Sequence, residues 1–162
     1  MILSSTMKTI PSEVQGIDPE IPLDEQSDEQ FALGFARQIR IFTHQMVNIV
    51  AYPLGRKKTP VDGVTRAVAI SAGEMGNMIF NLEHIFPRLL RLNDMEILLW
   101  VFELRLAMQI HHGLVFGRST EETEEIVSST RDDIKKLDDR IITVFYKIYY
   151  RLLETFGLED EK

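Results

Sequence analysis

The chain has 162 residues, 44% of them hydrophobic and 27% charged, and no cysteine, a size at which one domain buries a core without disulfides or a structural metal. The missing thiols exclude disulfide frameworks, thiolate zinc sites, iron–sulfur ligation and cysteine nucleophiles, and a reducing, cytoplasmic setting is expected. The longest apolar run, Ile97 to Phe102, is far short of the roughly 20 residues a bilayer requires, so no membrane segment is expected.

The formal net charge of −7 is concentrated near the start, where Lys8 alone stands against Glu13, Asp18, Glu20, Asp24, Glu25, Asp28 and Glu29. The body is therefore close to neutral. It has no basic excess for the counterion-releasing contacts that phosphate backbones demand, and nucleic acid is not an expected partner. The compact basic run Arg56, Lys57 and Lys58 reads as a solvated loop between helices.

Residues 1–26 carry Pro11, Pro19 and Pro22 among serines and acids, with Ile10, Val14, Ile17, Ile21 and Leu23 at no helical period. They read as an extended or disordered acidic arm, whose spaced aliphatics could lie in a groove of the domain or of a neighbouring subunit. Ser27 followed by Gln30 is a capping-box pair, with Asp28 and Glu29 where a helix dipole favours negative charge. The stripe Phe31, Phe35, Ile39, Phe42, Met46, Ile49 then predicts a first helix ended by Pro53.

Thr59 as cap and Pro60 at the first helical position open a second helix. Its stripe runs from Val61 to Phe86, and Pro87 is expected to end or kink it. Gly73 and Gly76, beside Ala69, Ser71 and Ala72, make a small-residue surface for close helix packing, or alternatively for a ligand pressed near Met75.

Asn93, Asp94 and Glu96 start a third helix, and Gly113 is the expected left-handed stop. Ile97, Leu98, Leu99, Trp100, Val101, Phe102, Leu104, Leu106, Ala107, Met108 and Ile110 put apolar groups on nearly every face, as in a helix central to a bundle or packed on a second subunit. Ser119 and Glu122 cap the last helix, striped by Ile134, Leu137, Ile141, Phe145, Ile148, Leu152 and Phe156 and stopped at Gly157. Unbroken it would be longer than such a bundle needs, so a bend is expected near Ser128 to Thr130, with Thr130 capping a new segment.

The chemistry-bearing residues are few. The histidines at 44, 84, 111 and 112 lack the three- or four-residue spacing that pairs imidazoles on one face. No phosphate loop, nucleotide fingerprint or serine elbow is present, and no metal or cofactor is expected. The remaining arrangement is Arg105 six and seven positions before His111 and His112, in Arg105-Leu-Ala-Met-Gln-Ile-His111-His112-Gly113. This segment resembles the signature of HEPN domains, small all-helical modules many of which are metal-independent ribonucleases, with the likeness running from about Leu89 to Leu137. The resemblance implies two chains pairing so that both Arg/His sets face one cleft. It would make Arg105 a phosphate clamp and His111 or His112 the acid or base at a ribose hydroxyl, chemistry that needs a proton acceptor and a cation.

The expected architecture is an all-α bundle of four or five helices over 27–157, with the arm over 1–26 and a short tail over 158–162. The expected function is a non-catalytic interaction or assembly subunit, self-associating through protein contacts. Its interface candidates are Trp100, Phe102, Tyr146, Tyr149 and Tyr150, because more apolar surface is available than four helices cover. The HEPN-like ribonuclease and a small-ligand-sensing bundle are the alternatives.

Overall fold

A computed structural model describes residues 16–18, 20–51, 61–115 and 119–160. A short 3-10 turn, Leu23–Glu25, precedes four helices: α1 (Asp28–Ala51), α2 (Val61–Leu90), α3 (Met95–Val115) and α4 (Thr120–Phe156). There is no strand among the described residues. α1 packs on α4, α4 on α3, α3 on α2, and α2 closes back on α1. Each neighbouring pair runs antiparallel. Phe42 meets Phe145 between α1 and α4, Phe86 meets Phe102 between α2 and α3, Arg151 reaches Asp94 and Arg140 reaches Glu103 between α4 and α3, and Arg88 of α2 reaches Asp28 at the start of α1. The result is an up-down-up-down four-helix bundle.

The helix boundaries follow the sequence signals at most ends. Ser27 and Gln30 form the expected reciprocal cap, the Gln30 amide donating to Ser27 Oγ (3.1 Å) and the Ser27 amide to Gln30 Oε1 (2.9 Å). Ser119 and Glu122 do the same for α4, and Gly157, at φ 63°, ends it with its own amide and that of Leu158 both donating to the Leu153 carbonyl. The Thr59–Pro60 start and the basic run 56–58 lie outside the described residues.

Three local expectations are corrected. α2 continues through Pro87 to Leu90 and closes in a tight turn, with Asn93 at φ 57° and Asp94 capping α3 through its carboxylate on the Ile97 amide. Gly113 does not stop α3, which runs on to Val115 with no positive φ at that glycine. α4 bends where expected, at Thr130 (φ −123°, ψ 20°), but Thr130 caps nothing: its hydroxyl donates back to the Ile126 carbonyl, and Ser129 to that of Glu125. A side chain bonding back one turn loosens the ladder there without restarting it.

The stripes expected on α1 and α4 line the core, whereas on α2 the buried line is turned from the expected one, running through Met78, Ile85 and Leu89 as well as Met75 and Leu82 and leaving Phe86 half-buried. Phe31, Phe35, Ile39, Phe42 and Met46 of α1 are fully buried with Met75, Met78, Leu82 and Ile85 of α2, Ile97, Leu104 and Met108 of α3, and Ile141, Phe145, Ile148 and Leu152 of α4. The described part of the arm docks on this same body. Gly16 lies so close to α1 that a Cβ there would come within 2.4 Å of the Gln38 amide nitrogen, and Ile17 is buried over Gly34. Gln26 is buried and donates to the Ile21 carbonyl at 2.9 Å, folding the segment into a compact turn. Arg88, 2% exposed, holds it from α2: Nη2 donates to the Gln26 carbonyl (3.0 Å) and to Asp28 Oδ1 (2.7 Å), and the guanidinium sits 5.0 Å from the centre of the Phe31 ring.

Candidate functional site

Along α3, six residues advance the chain by about 9 Å and about 120° of rotation, and seven by about 10 Å with little net rotation. Arg105 and His111 therefore face different neighbours. Arg105 turns to α2, where Nη2 donates to Glu83 Oε1 at 2.8 Å. His111 turns to α4 and is buried, its Nε2 3.1 Å from Oδ1 of the equally buried Asp138. That separation suits an ion pair but lacks hydrogen-bond alignment, and His111 Nδ1 has no partner among the described residues. His112 returns to the α2 flank and lays its ring on Gly76, where a Cβ would meet Cε1 at 3.2 Å. The three residues of the expected acid–base group are thus spread over two flanks and two turns, each engaged with a different residue.

That placement also answers the question of Gly76. The small-residue surface admits an imidazole of the same chain. Met75 next to it is fully buried, and the surroundings of the Gly73 side lie outside the described residues. His84 stacks on Phe80 at 5.7 Å, and His44 is exposed. Among the described residues no three His, Asp or Glu side chains are grouped to hold a metal ion, and no helix is long and apolar enough to cross a membrane.

The outer face of α3 is different in kind. Met95 (66% exposed), Leu99 (60%), Phe102 (51%), Leu106 (60%) and Ile110 (48%) form one stripe facing solvent, with Leu90 at the end of α2 exposed as well. The opposite side of the same helix buries Ile97, Val101, Leu104 and Met108. Both margins of the stripe are lined by ion pairs. On the α2 side lies Arg105–Glu83; on the α4 side Arg140 donates to both Glu103 oxygens (3.0 and 2.7 Å). Hydrogen bonding to Glu103, and then its charge, raises the Arg140 guanidinium above its ordinary value, and Asp94 does the same for Arg151. Phe102 is held on its inner edge by Phe86, the rings 5.3 Å apart and edge to face.

Of the five aromatic interface candidates, Phe102, Tyr146 and Tyr150 are exposed, and the two tyrosines stack on each other at 6.4 Å on α4. Trp100 is half-buried against the core. Tyr149 is instead 7% exposed: its hydroxyl donates to Asp160 Oδ1 at 2.7 Å and accepts from Arg40 Nη1 at 3.4 Å, and Arg40 lies 3.5 Å from Asp160 Oδ1, so the group fastens the C-terminal tail to α1. Arg88 was missed by sequence reasoning. Its position three residues after the buried Ile85 is the only signal, and a long cationic side chain there is ordinarily taken to reach solvent.

Comparison with known proteins returned no matching family model, no similar curated protein and no similar solved structure.

Proposed function

We propose that the chain is a helical interaction module whose working surface is the outer face of α3. The observation that carries this reading is the stripe of five large apolar side chains, each half to two-thirds exposed, on a helix whose other side completes the core. At about 100 Å² per side chain it amounts to several hundred Å² of contiguous apolar surface, the scale at which a soluble protein's patch marks a binding site. A polar margin around an apolar centre is the anatomy of protein interfaces, and the ion pairs at Glu83 and Glu103 supply it. Arg105 and His111, paired with different helices, favour binding over ribose chemistry as the role of this element.

The test is the size of the complex in the source cells. A tagged chain cross-linked in those cells before recovery is expected to sediment as a species heavier than one chain, and a Leu99→Glu/Leu106→Glu variant, whose purified form keeps its far-UV circular dichroism, to sediment alone. A wild-type chain that sediments alone, or a variant that keeps its complex, overturns the reading. Metal-free incubation with labelled RNA is expected to leave the RNA intact; cleavage abolished by Arg105→Ala would restore the ribonuclease alternative.

A further inference from the structure

Resting on that reading, we infer that the occupant of the α3 face is a second copy of this chain, lying antiparallel about a two-fold axis near Phe102. The stripe is close to a palindrome. Met95, Leu99, Phe102, Leu106 and Ile110 are spaced four, three, four and four residues apart, and read from the other end four, four, three and four. Reversed about a point between Phe102 and Glu103, Met95 falls opposite Ile110 of the partner subunit, Leu99 opposite Leu106 of the partner subunit, and Phe102 beside Phe102 of the partner subunit. Any apolar stripe can meet its own copy in parallel. Reversal only moves the single three-residue step by one place, so this stripe also keeps its members engaged when the helices oppose, and opposed helices set their dipoles favourably.

Charge and area point the same way. A two-fold axis across the helices brings each margin against its own copy, which ordinarily sets like charges together. Here the two charges of α3 that flank the stripe at its middle already carry their opposites: Glu103 is held by Arg140 and Arg105 by Glu83. The Glu103–Arg140 pair lies at the level of the axis, where two copies form a neutral four-charge cluster able to exchange partners. The five side chains bury on the order of 500 Å² per copy and so about 1,000 Å² for the pair, the lower bound for a specific interface. An area at that bound belongs to the weak, transient class of interfaces rather than to permanent assembly, and dissociation in the micromolar range is expected.

The chain has no cysteine, which makes the register directly testable with the purified full chain. Leu99→Cys and Leu106→Cys are made singly and oxidised gently, each alone and mixed in equal amounts. The antiparallel register predicts that the mixture forms disulfide-linked dimers at least ten-fold faster than either variant alone, since only residues 99 and 106 face each other across the axis. Sedimentation of the unmodified chain is expected to show a monomer–dimer equilibrium between one and a hundred micromolar. Leu99→Glu, on a side chain already 60% exposed, is expected to weaken it at least ten-fold with unchanged circular dichroism. Faster cross-linking of either single variant with itself overturns the antiparallel arrangement, and dimers that survive Leu99→Glu place the contact elsewhere. A chain that stays monomeric at a hundred micromolar overturns the second copy as occupant. If a heavier native complex is still dissolved by the α3 substitutions, the interaction reading stands and its partner is a different protein.

Discussion

Replacing His111 by leucine tests whether this histidine is a structural counter-charge or a chemical group. Its Nε2 lies 3.1 Å from Asp138 Oδ1, with both side chains almost wholly out of solvent. At that distance and an effective dielectric constant of about 20, the attraction between the charged forms is about 5 kcal/mol. Desolvating the two ions costs several kcal/mol each. The pair as a whole therefore contributes little net stability, while either partner left alone is strongly unfavourable. His111→Leu strands a buried carboxylate, and Asp138→Leu a buried imidazole. Removal of one member of a buried pair costs about 3–5 kcal/mol, and because this contact lacks hydrogen-bond alignment about 3 kcal/mol is expected for each. The double variant, with both polar groups gone, is expected within about 1 kcal/mol of the unmodified chain, since leucine pairs of similar volume often replace buried ion pairs at no loss. Urea unfolding followed by the fluorescence of Trp100, the single tryptophan, and by far-UV circular dichroism measures all four corners of the cycle. If the single effects add to within about 0.5 kcal/mol, the two side chains are not coupled and the reasoning fails.

Three further outcomes follow from the packing. Gly113→Ala is expected to stabilise the chain by about 0.5–1 kcal/mol, because the position is helical and a Cβ there meets nothing within 4 Å; a lowered thermal midpoint would contradict it. Gly16→Ala, at φ +83° and against the Gln38 backbone, is expected to detach the arm, costing about 1–2 kcal/mol, bounded above by the burial of Ile17 that docking supplies. Hydrogen exchange should then lose protection at Gln26 while that of α3 and α4 is unchanged, and retained protection at Gln26 would refute the docking argument. Arg88→Met forfeits two charge-assisted bonds, about 1.5–3 kcal/mol. It also removes Nε and Nη1, both buried without a partner among the described residues, and leaves Asp28 in solvent at 58% exposure. The Met variant is expected within about 1 kcal/mol of the unmodified chain and Arg88→Ala about 2–5 kcal/mol below it; equal losses in urea unfolding would show that the charge and not the stem is what the core requires.

The α1 and α4 stripes were legible because each repeats every three or four residues and its members are large, so that one face has to be buried whatever it meets. The caps at Ser27, Ser119 and Gly157 were legible because they satisfy backbone groups within one turn. The corrections at Pro87 and Gly113 share one cause. Each is a local breaker whose cost, up to about 3 kcal/mol, is outweighed by packing of the flanking turns: Ile85 and Leu89 beside Pro87 and Met108 before Gly113, all buried.

The candidate site was legible as composition and illegible as geometry. An α3 apolar on all sides announced an excess of surface, but pattern alone could not say which side faces out, since a helix without a polar face has no preferred orientation until neighbours are placed. In the same way Arg105, His111 and His112 are neighbours in sequence, and their partners Glu83, Asp138 and Gly76 lie on two other helices, 22 to 36 positions distant.

Helix number, the all-α class and most of the helix ends are therefore properties of the chain's own order, because periodicity and capping act over a few residues. Which apolar side chains remain in water, where the arginine and histidines point, and that Arg88 rather than an aliphatic residue closes the arm onto the core are decided by how four helices share one interior, a balance of burial and charge that no single segment contains.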